Sequence, residues 1–404
     1  MKLSLPAVAA LSATASAFGL GGQRALLSQQ EHVAATKQLH LTHDLFGLHR
    51  NLTQIESISG NEAEVGQWLA ESLQSQGYSV EKQFVPGYGR DDRFNILAWP
   101  GKTRHTRVLL SSHIDTVPPF YDYDRNDTSI SGRGSVDAKA SVAAQIIAAN
   151  NLLSQGVISP SDIALLFVIG EEVGGDGMRA ANDLSLHPSA IVFGEPTEGT
   201  LVSGHKGNLG LHVKAIGKAA HSGYPWLGRS ANEVIVSVLA TLMKLADELP
   251  ESDKYGSTTI NLGRIEGGVA GNVVAQDASA QVTIRIAAGT PADIKKAMTK
   301  AIHKAVKPFL NDNLNADDVV ELTWTSDGYG PVDIDADIPG FKVMTVNYGT
   351  DVPNFKMDAS QKRYLYGPGS IMVAHSDHEA LTPETLEEGV KGYEKILKHL
   401  LIKE

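Results

Sequence analysis

VLLSSHIDTV (108–117) carries a strand-like apolar run into a histidine, His113, with a carboxylate, Asp115, two positions on. Residues two apart on an extended backbone leave the same face, so the imidazole can hold a metal ion while the carboxylate supports it. Asp115 is placed to accept the ring's other N–H and fix its tautomer. The pattern recurs along the chain. Acidic residues follow other apolar runs at Glu171–Glu172 in DIALLFVIGEE (162–172) and at Glu195 in AIVFGEP (190–196). Asp137 lies in the glycine-rich GRGSVDAKAS (132–141), and two late histidines, His375 and His378, follow.

These runs alternate with helical patterns. FNILAWP (94–100) precedes the opening stretch, and the helix-like SVAAQIIAANNLLSQG (141–156) separates two strand candidates. Amphipathic segments at 41–55 and 57–78 come first. Strand, helix and strand in alternation predict an α/β fold with a parallel or mixed sheet and helices on both faces. Ligands in such sheets bind beyond the carboxyl ends of the strands. That rule would gather His113, Glu171 and Glu195 in one crevice.

The character changes near residue 208. LGLHVKAIGKAAHSG (209–223) alternates, 230–249 is a long amphipathic helix, 257–268 and 278–289 read as hairpin partners, and 291–310 is a second helix. This is an inserted α+β unit of the β-α-β-β-α-β, ferredoxin-like kind. The expected organisation is a signal peptide over 1–17, a catalytic domain split between 18–207 and 328–404, and an inserted domain over 208–327.

Composition narrows the function. A chain of 404 residues favours two domains, and 42% apolar with 20% charged residues are globular values. A net charge of −11 argues against nucleic acid or an anionic membrane as partner. With no cysteine, disulfides and thiolate ligands are excluded, so any metal must be held by His, Asp and Glu. Lys2, the alanine-rich stretch after it and Ala15-Ser16-Ala17 fit a secretory signal, with no second apolar run long enough to span a bilayer. In a secreted protein, Asn51-Leu52-Thr53 and Asn126-Asp127-Thr128 are glycosylation sequons.

The candidate chemistry is metal-assisted hydrolysis. A carboxylate such as Asp137, in a glycine-rich loop entering a helix, can bridge two cations about 3.5–4 Å apart. Adjacent Glu171 and Glu172 divide the labour: one binds metal, the other acts as general base on water. Glu195 is a terminal ligand candidate, and His375 would close the second metal's shell. Each element is common alone; the argument lies in their conjunction at successive strand ends.

SSHIDTVP (111–118), GRGSVDAKAS, EEVGGDGM (171–178), GEPTEG (194–199), HKGNLGLHVKAIGKAAHSGYP (205–225) and GPGSIMVAHSDHEAL (367–381) resemble one known family in order and spacing. It is the aminoacylase / glutamate carboxypeptidase / succinyl-diaminopimelate desuccinylase family of metallopeptidases (peptidase family M20), and the chain looks most like its fungal secreted probable carboxypeptidases. The resemblance covers residues 40–404. It implies two zinc ions per subunit, held by His113, Glu195 and a bridging Asp137, with Glu172 and His375 completing the pair. It makes Glu171 the general base and Asp115 the orienting residue behind His113. It implies a lid that also makes a homodimer, with His221 reaching an active site, often the partner subunit's, to polarise the scissile carbonyl. Asn272 and Arg285 match positions that contact a substrate carboxylate, a role suited to a guanidinium.

One motif departs. The last reads His375-Ser376-Asp377-His378-Glu379, so His378 stands where the family pattern does not expect a histidine. The expected activity is secreted, zinc-dependent hydrolysis of an amide bond beside a free carboxylate, through metal-activated water. Substrates would be a peptide C-terminus or an N-acyl amino acid. The alternatives are an N-acyl-amino-acid amidohydrolase, an aminopeptidase, which would need an acid for the substrate's amino terminus, and a non-catalytic binding protein on a hydrolase scaffold.

Overall fold

Val108, Leu109 and Leu110 are all buried, which marks a strand covered on both faces. Val108 and Leu110 face a core with Ile96, Leu165 and Val192, whereas Leu109 faces another with Leu97, Leu166 and Ile191. The computed structural model describes residues 39–87 and 89–402. The signal-peptide reading of 1–17 lies outside them.

Six strands form the main sheet in the order Ser79–Phe84, Phe94–Trp99, Ile163–Val168, Val108–His113, Ala190–Gly194 and Lys362–Tyr366. The two pairings on the Ser79 side are antiparallel and the other three are parallel, giving a mixed sheet. Ile163–Val168 and Ala190–Gly194 flank Val108–His113 in parallel, so three carboxyl ends emerge side by side. On one face lies the helix Lys139–Ser154, buried almost all round between Leu45–Gln54 and Pro383–Leu401. The other face is covered more thinly. A short helix, Asp176–Ala181, and a small sheet of Val332–Asp333, Leu201–His205 and Val343–Val346 close it.

The chain then builds a separate layer with its own core, including Leu211, Val213, Val238, Ile284 and Met298. Gly207–Ile216 alternates strictly between buried and half-buried residues, as a strand with one covered face must. Its sheet is ordered Thr259–Gly267, Asp277–Ile286, Gly207–Ile216, Val320–Trp324, all antiparallel. Helices Ala231–Leu245 and Pro291–Ala305 fill the crossings, capped by Ser230 and Thr290, whose hydroxyls accept from Glu233 N and Asp293 N. This is the β-α-β-β-α-β unit expected from the pattern. Val332–Asp333 and Lys362–Tyr366 return the chain to the first layer.

The two sequons differ. Asn51 sits within the helix Leu45–Gln54 and is half-buried, whereas Asn126 is exposed in a turn where its Oδ1 accepts from Thr128 N and Ser129 N. Among the described residues no helix is long and apolar enough to cross a membrane.

One buried group ties this fold to pH. His49 donates Nε2–H to the Ser135 carbonyl at 2.9 Å, and its Nδ1 has no partner among the described residues. Burial pushes its pKa from 6.5 down to about 4. The folded state therefore holds it neutral. Its stabilising contribution is complete above pH 6.5 and is lost as pH falls through about 4, a loss of about 3 kcal/mol. His49→Gln keeps a donor for Ser135. Denaturant unfolding followed between pH 6.5 and 4 should show the variant losing less stability than the wild type; parallel losses would contradict this account.

Candidate metal centre

The strand Val108–His113 ends on its histidine, and the side chains beyond the neighbouring strand ends converge on it. His113 Nε2 lies 3.1 Å from Asp137 Oδ1 and 3.9 Å from Glu195 Oε2. The other oxygen of Asp137, Oδ2, lies 3.4 Å from His375 Nε2, which is 3.1 Å from Glu172 Oε1. Two triads therefore share one carboxylate: His113, Asp137 and Glu195, and Asp137, Glu172 and His375, each with ligand atoms within 4.8 Å of one another. The first triad is buried, whereas the His375 side chain is 52% exposed, so the centre opens on that side. His375 adopts φ +63°, a left-handed conformation that a side-chain-bearing residue keeps only where its surroundings hold it. His378 pairs with Asp377 at 2.9 Å and belongs to neither triad.

Asp115 meets His113 chiefly through its main chain, not through the carboxylate expected from the sequence. The imidazole's Nδ1 is 2.9 Å from the main-chain carbonyl of Asp115 and 3.5 Å from its carboxylate. The carboxylate accepts from Glu171 N at 3.1 Å, Glu172 N at 3.2 Å and Ser59 Oγ at 2.7 Å. It thus ties the strand bearing His113 to the turn bearing both glutamates. That turn begins at Gly170, φ +69°, where a Cβ would strike Asp176 Oδ1 and Arg93 Nη2. Arg93 is fully buried between Glu62, 3.0 Å away, and Asp176, 3.3 Å away. Asp351 is also buried; its Oδ1 accepts from Asn354 Nδ2 at 2.8 Å and its Oδ2 has no partner among the described residues. Sequence reasoning missed Ser59, Arg93 and Asp351, which sit in segments without a motif.

Charge in the pocket is unbalanced. Burial, then the charge of Glu195, holds the Glu171 carboxyl well above its usual range. Burial raises Glu195 strongly, with Asp137 and Glu172 adding to it against the opposing pull of His113. Burial, followed by Asp137, raises Glu172, and burial pushes Asp351 up to about 6. Asp137 runs the other way: burial opposes its ionisation, but hydrogen bonds from His113 and His375 hold it well below the carboxylate range. Hydrogen bonds to Asp137 and Glu172 push His375 up to about 10. Burial disfavours the charged form of His113, yet its bonds to Asp115 and Asp137 hold it well above its usual value. Carboxylates outnumber imidazoles, and divalent cations at the two triads would correct the deficit. A set of imidazole and carboxylate donors without thiolate suits zinc and its first-row neighbours. The residues fit a metal pair.

Glu171 belongs to neither triad, which leaves its carboxyl free for another task. His221 is exposed; its Nδ1 accepts from Gly223 N at 3.0 Å and its ring lies 6.0 Å from that of Tyr224. Asn272 is exposed beside it, its carbonyl accepting from Ser222 N at 3.0 Å, and neither residue joins the triads. Arg285 pairs across the sheet with Asn208 and Thr259 and makes no ion pair within 4.0 Å among the described residues. A Cβ at Gly349 would meet both the Tyr329 hydroxyl and Arg285 Nη1, so the two side chains flank this glycine, and burial, then the charge of Glu171, raises the Tyr329 phenol. Arg285 thus lies beside Gly349 and Tyr329. Asp137→Ala removes the one group common to both triads. Equilibrium dialysis against a divalent metal should find both ions lost; retention of two would contradict the shared-carboxylate geometry.

The chain is similar to known peptidases. Residues 203–309 match the peptidase dimerisation domain model, and residues 95–191 match the model for peptidase family M28. A probable carboxypeptidase of Aspergillus terreus is 50% identical over 375 residues, spanning 87% of this chain and 85% of that protein. One from Neosartorya fischeri is 49% identical over 392 residues, spanning 88% and 86%. Among solved structures, a Staphylococcus aureus tripeptidase superposes with a TM-score of 0.73 at 22% identity, covering 90% of this chain and all (100%) of that one. An M20 family metallo-carboxypeptidase from Sulfolobus solfataricus gives 0.67 at 17% identity, covering 90% and 100%. At those identities the structures show the fold. With half its residues shared with the fungal proteins over most of both lengths, and the fold of the M20 enzymes, the chain belongs to the M20 family of metallopeptidases.

Proposed function

We propose that the protein is a carboxypeptidase carrying two zinc ions, which hydrolyses an amide bond beside a free carboxylate. His113, Glu195 and Asp137 would hold one ion, and Glu172, His375 and Asp137 the other. Bound there, the metal pair would supply electrophilic assistance to the scissile carbonyl and would acidify a water molecule. The remaining work falls to side chains. Glu171 takes the proton from the attacking water and returns it to the departing amine nitrogen. Burial raises its pKa above that of an ordinary carboxyl, the direction that favours returning a proton to a leaving group. The observation that carries this reading is the division at Glu171–Glu172: one carboxylate lies inside a triad and its neighbour outside both.

Arg285, a guanidinium beside Gly349 and Tyr329 without an ion-pair partner among the described residues, is the proposed anchor for the substrate carboxylate. Asn272 is its proposed helper. We assign residues 18–207 and 328–404 to the catalytic domain and 208–327 to a lid through which a homodimer forms. His221, exposed on that lid, would then serve the partner's site, donating to the carbonyl oxygen as negative charge develops. Secretion is proposed from Lys2 and the Ala15-Ser16-Ala17 pattern, with the exposed Asn126 as the better-placed glycan acceptor.

Turnover of blocked dipeptides, free dipeptides and N-acetyl amino acids by zinc-loaded protein tests the substrate class. Fastest turnover of blocked dipeptides fits a carboxypeptidase; preference for N-acetyl amino acids moves the reading to an amidohydrolase. Glu171→Gln should retain both metal ions while kcat falls by roughly 10²–10⁴. Unchanged kcat would remove Glu171 as the base. Arg285→Ala should weaken substrates bearing a free carboxylate far more than their amides, and equal losses would reject the anchor.

A further inference from the structure

Glu379 is 3% exposed and carries an unusual load for a residue outside both triads. Its Oε1 accepts from Val136 N at 3.0 Å and from Asp137 N at 3.1 Å. Its Oε2 accepts from Arg133 Nη1 at 2.6 Å. Its main-chain carbonyl accepts from Gly132 N and Ser135 Oγ, both at 3.3 Å. Arg133 is itself 1% exposed, donates Nε–H to the Pro119 carbonyl at 3.1 Å and lies over the Tyr121 ring. The next residues, Ala380–Leu381, pair antiparallel with Ile130–Ser131. The segment 379–381 is therefore laced along 130–137, and His375 stands four residues before the first lace.

We propose that Glu379 is a positioning residue that fixes Asp137 and His375 relative to each other, so that one carboxylate can serve both triads. The proposal rests on the metal reading above. A buried ion pair is a poor source of stability, because an apolar pair of similar volume commonly does as well. An apolar pair cannot accept the N–H groups of Val136 and Asp137. Those two bonds hold the backbone from which the Asp137 carboxylate turns one oxygen to His113 and the other to His375. The same side chain anchors the segment that follows His375, whose own backbone is left-handed. Residues that support a ligand in this way typically change metal affinity by 10–100-fold when replaced.

Cobalt(II) titration of metal-free protein, followed by visible absorption, tests this with three variants. Arg133→Met/Glu379→Met replaces the ion pair with apolar volume and removes the acceptor. It should unfold as cooperatively as the wild type, yet bind the ion shared by Glu172 and His375 about 10–100-fold more weakly, with an altered spectrum. Arg133→Met/Glu379→Gln restores an acceptor for the two amides and should recover most of that affinity. His378→Ala, on the same loop but in neither triad, should bind like the wild type. Wild-type affinity and spectrum in the Met/Met variant would overturn the proposal, as would equal weakening in the Met/Gln variant or in His378→Ala. Should the Met/Met variant fail to fold, weak cobalt binding by the folded Met/Gln variant is sufficient to overturn it. A wild-type protein that takes up no cobalt would instead sink the metal reading itself.

Discussion

One carboxylate stands between two imidazoles, and the arrangement of the catalytic layer follows from holding it there. Asp137 presents Oδ1 to His113 and Oδ2 to His375, residues separated by most of the chain. A side chain so placed must be fixed at its backbone, because a rotation that improves one contact breaks the other. The buried helix Lys139–Ser154 begins two residues later and anchors one end. Glu379 and Arg133 hold the other.

The sheet supplies the remaining geometry. Parallel neighbours bring His113, the Glu171–Glu172 turn and Glu195 to one edge of the layer. Asp115 then locks two of these strand ends together through the amides of Glu171 and Glu172. Behind the turn the buried Arg93 sits between buried Glu62 and half-buried Asp176, packed where a larger residue than Gly170 would not fit. Concentrating acids in a dry pocket raises their pKa values and destabilises the empty site. The same cost becomes affinity when cations arrive, so the pocket trades intrinsic stability for metal binding.

Much of this was legible in the residues. Apolar runs ending in His113, Glu171 and Glu195 reported strand ends, because burial on both faces leaves continuous hydrophobic stretches. The inserted layer was legible from its change to two-residue alternation, which the half-covered strand Gly207–Ile216 displays. His378 stands three residues from His375, and only the folded contacts tell them apart: His375 meets Asp137 and Glu172, His378 meets Asp377. The clamp at Glu379 was also hidden, since its partners lie far away along the chain and periodicity reports only local environment. His221 and Asn272 lie beside each other on the inserted layer and join neither triad, so the folded chain by itself assigns them no role there.

The central claim is that Asp137 joins two metal ions. Crystals grown with zinc and measured at the zinc absorption edge test it without reference to activity. The account predicts two anomalous peaks about 3.5–4 Å apart, one on each side of the Asp137 carboxylate. A single peak, or peaks lying away from Asp137, would contradict it.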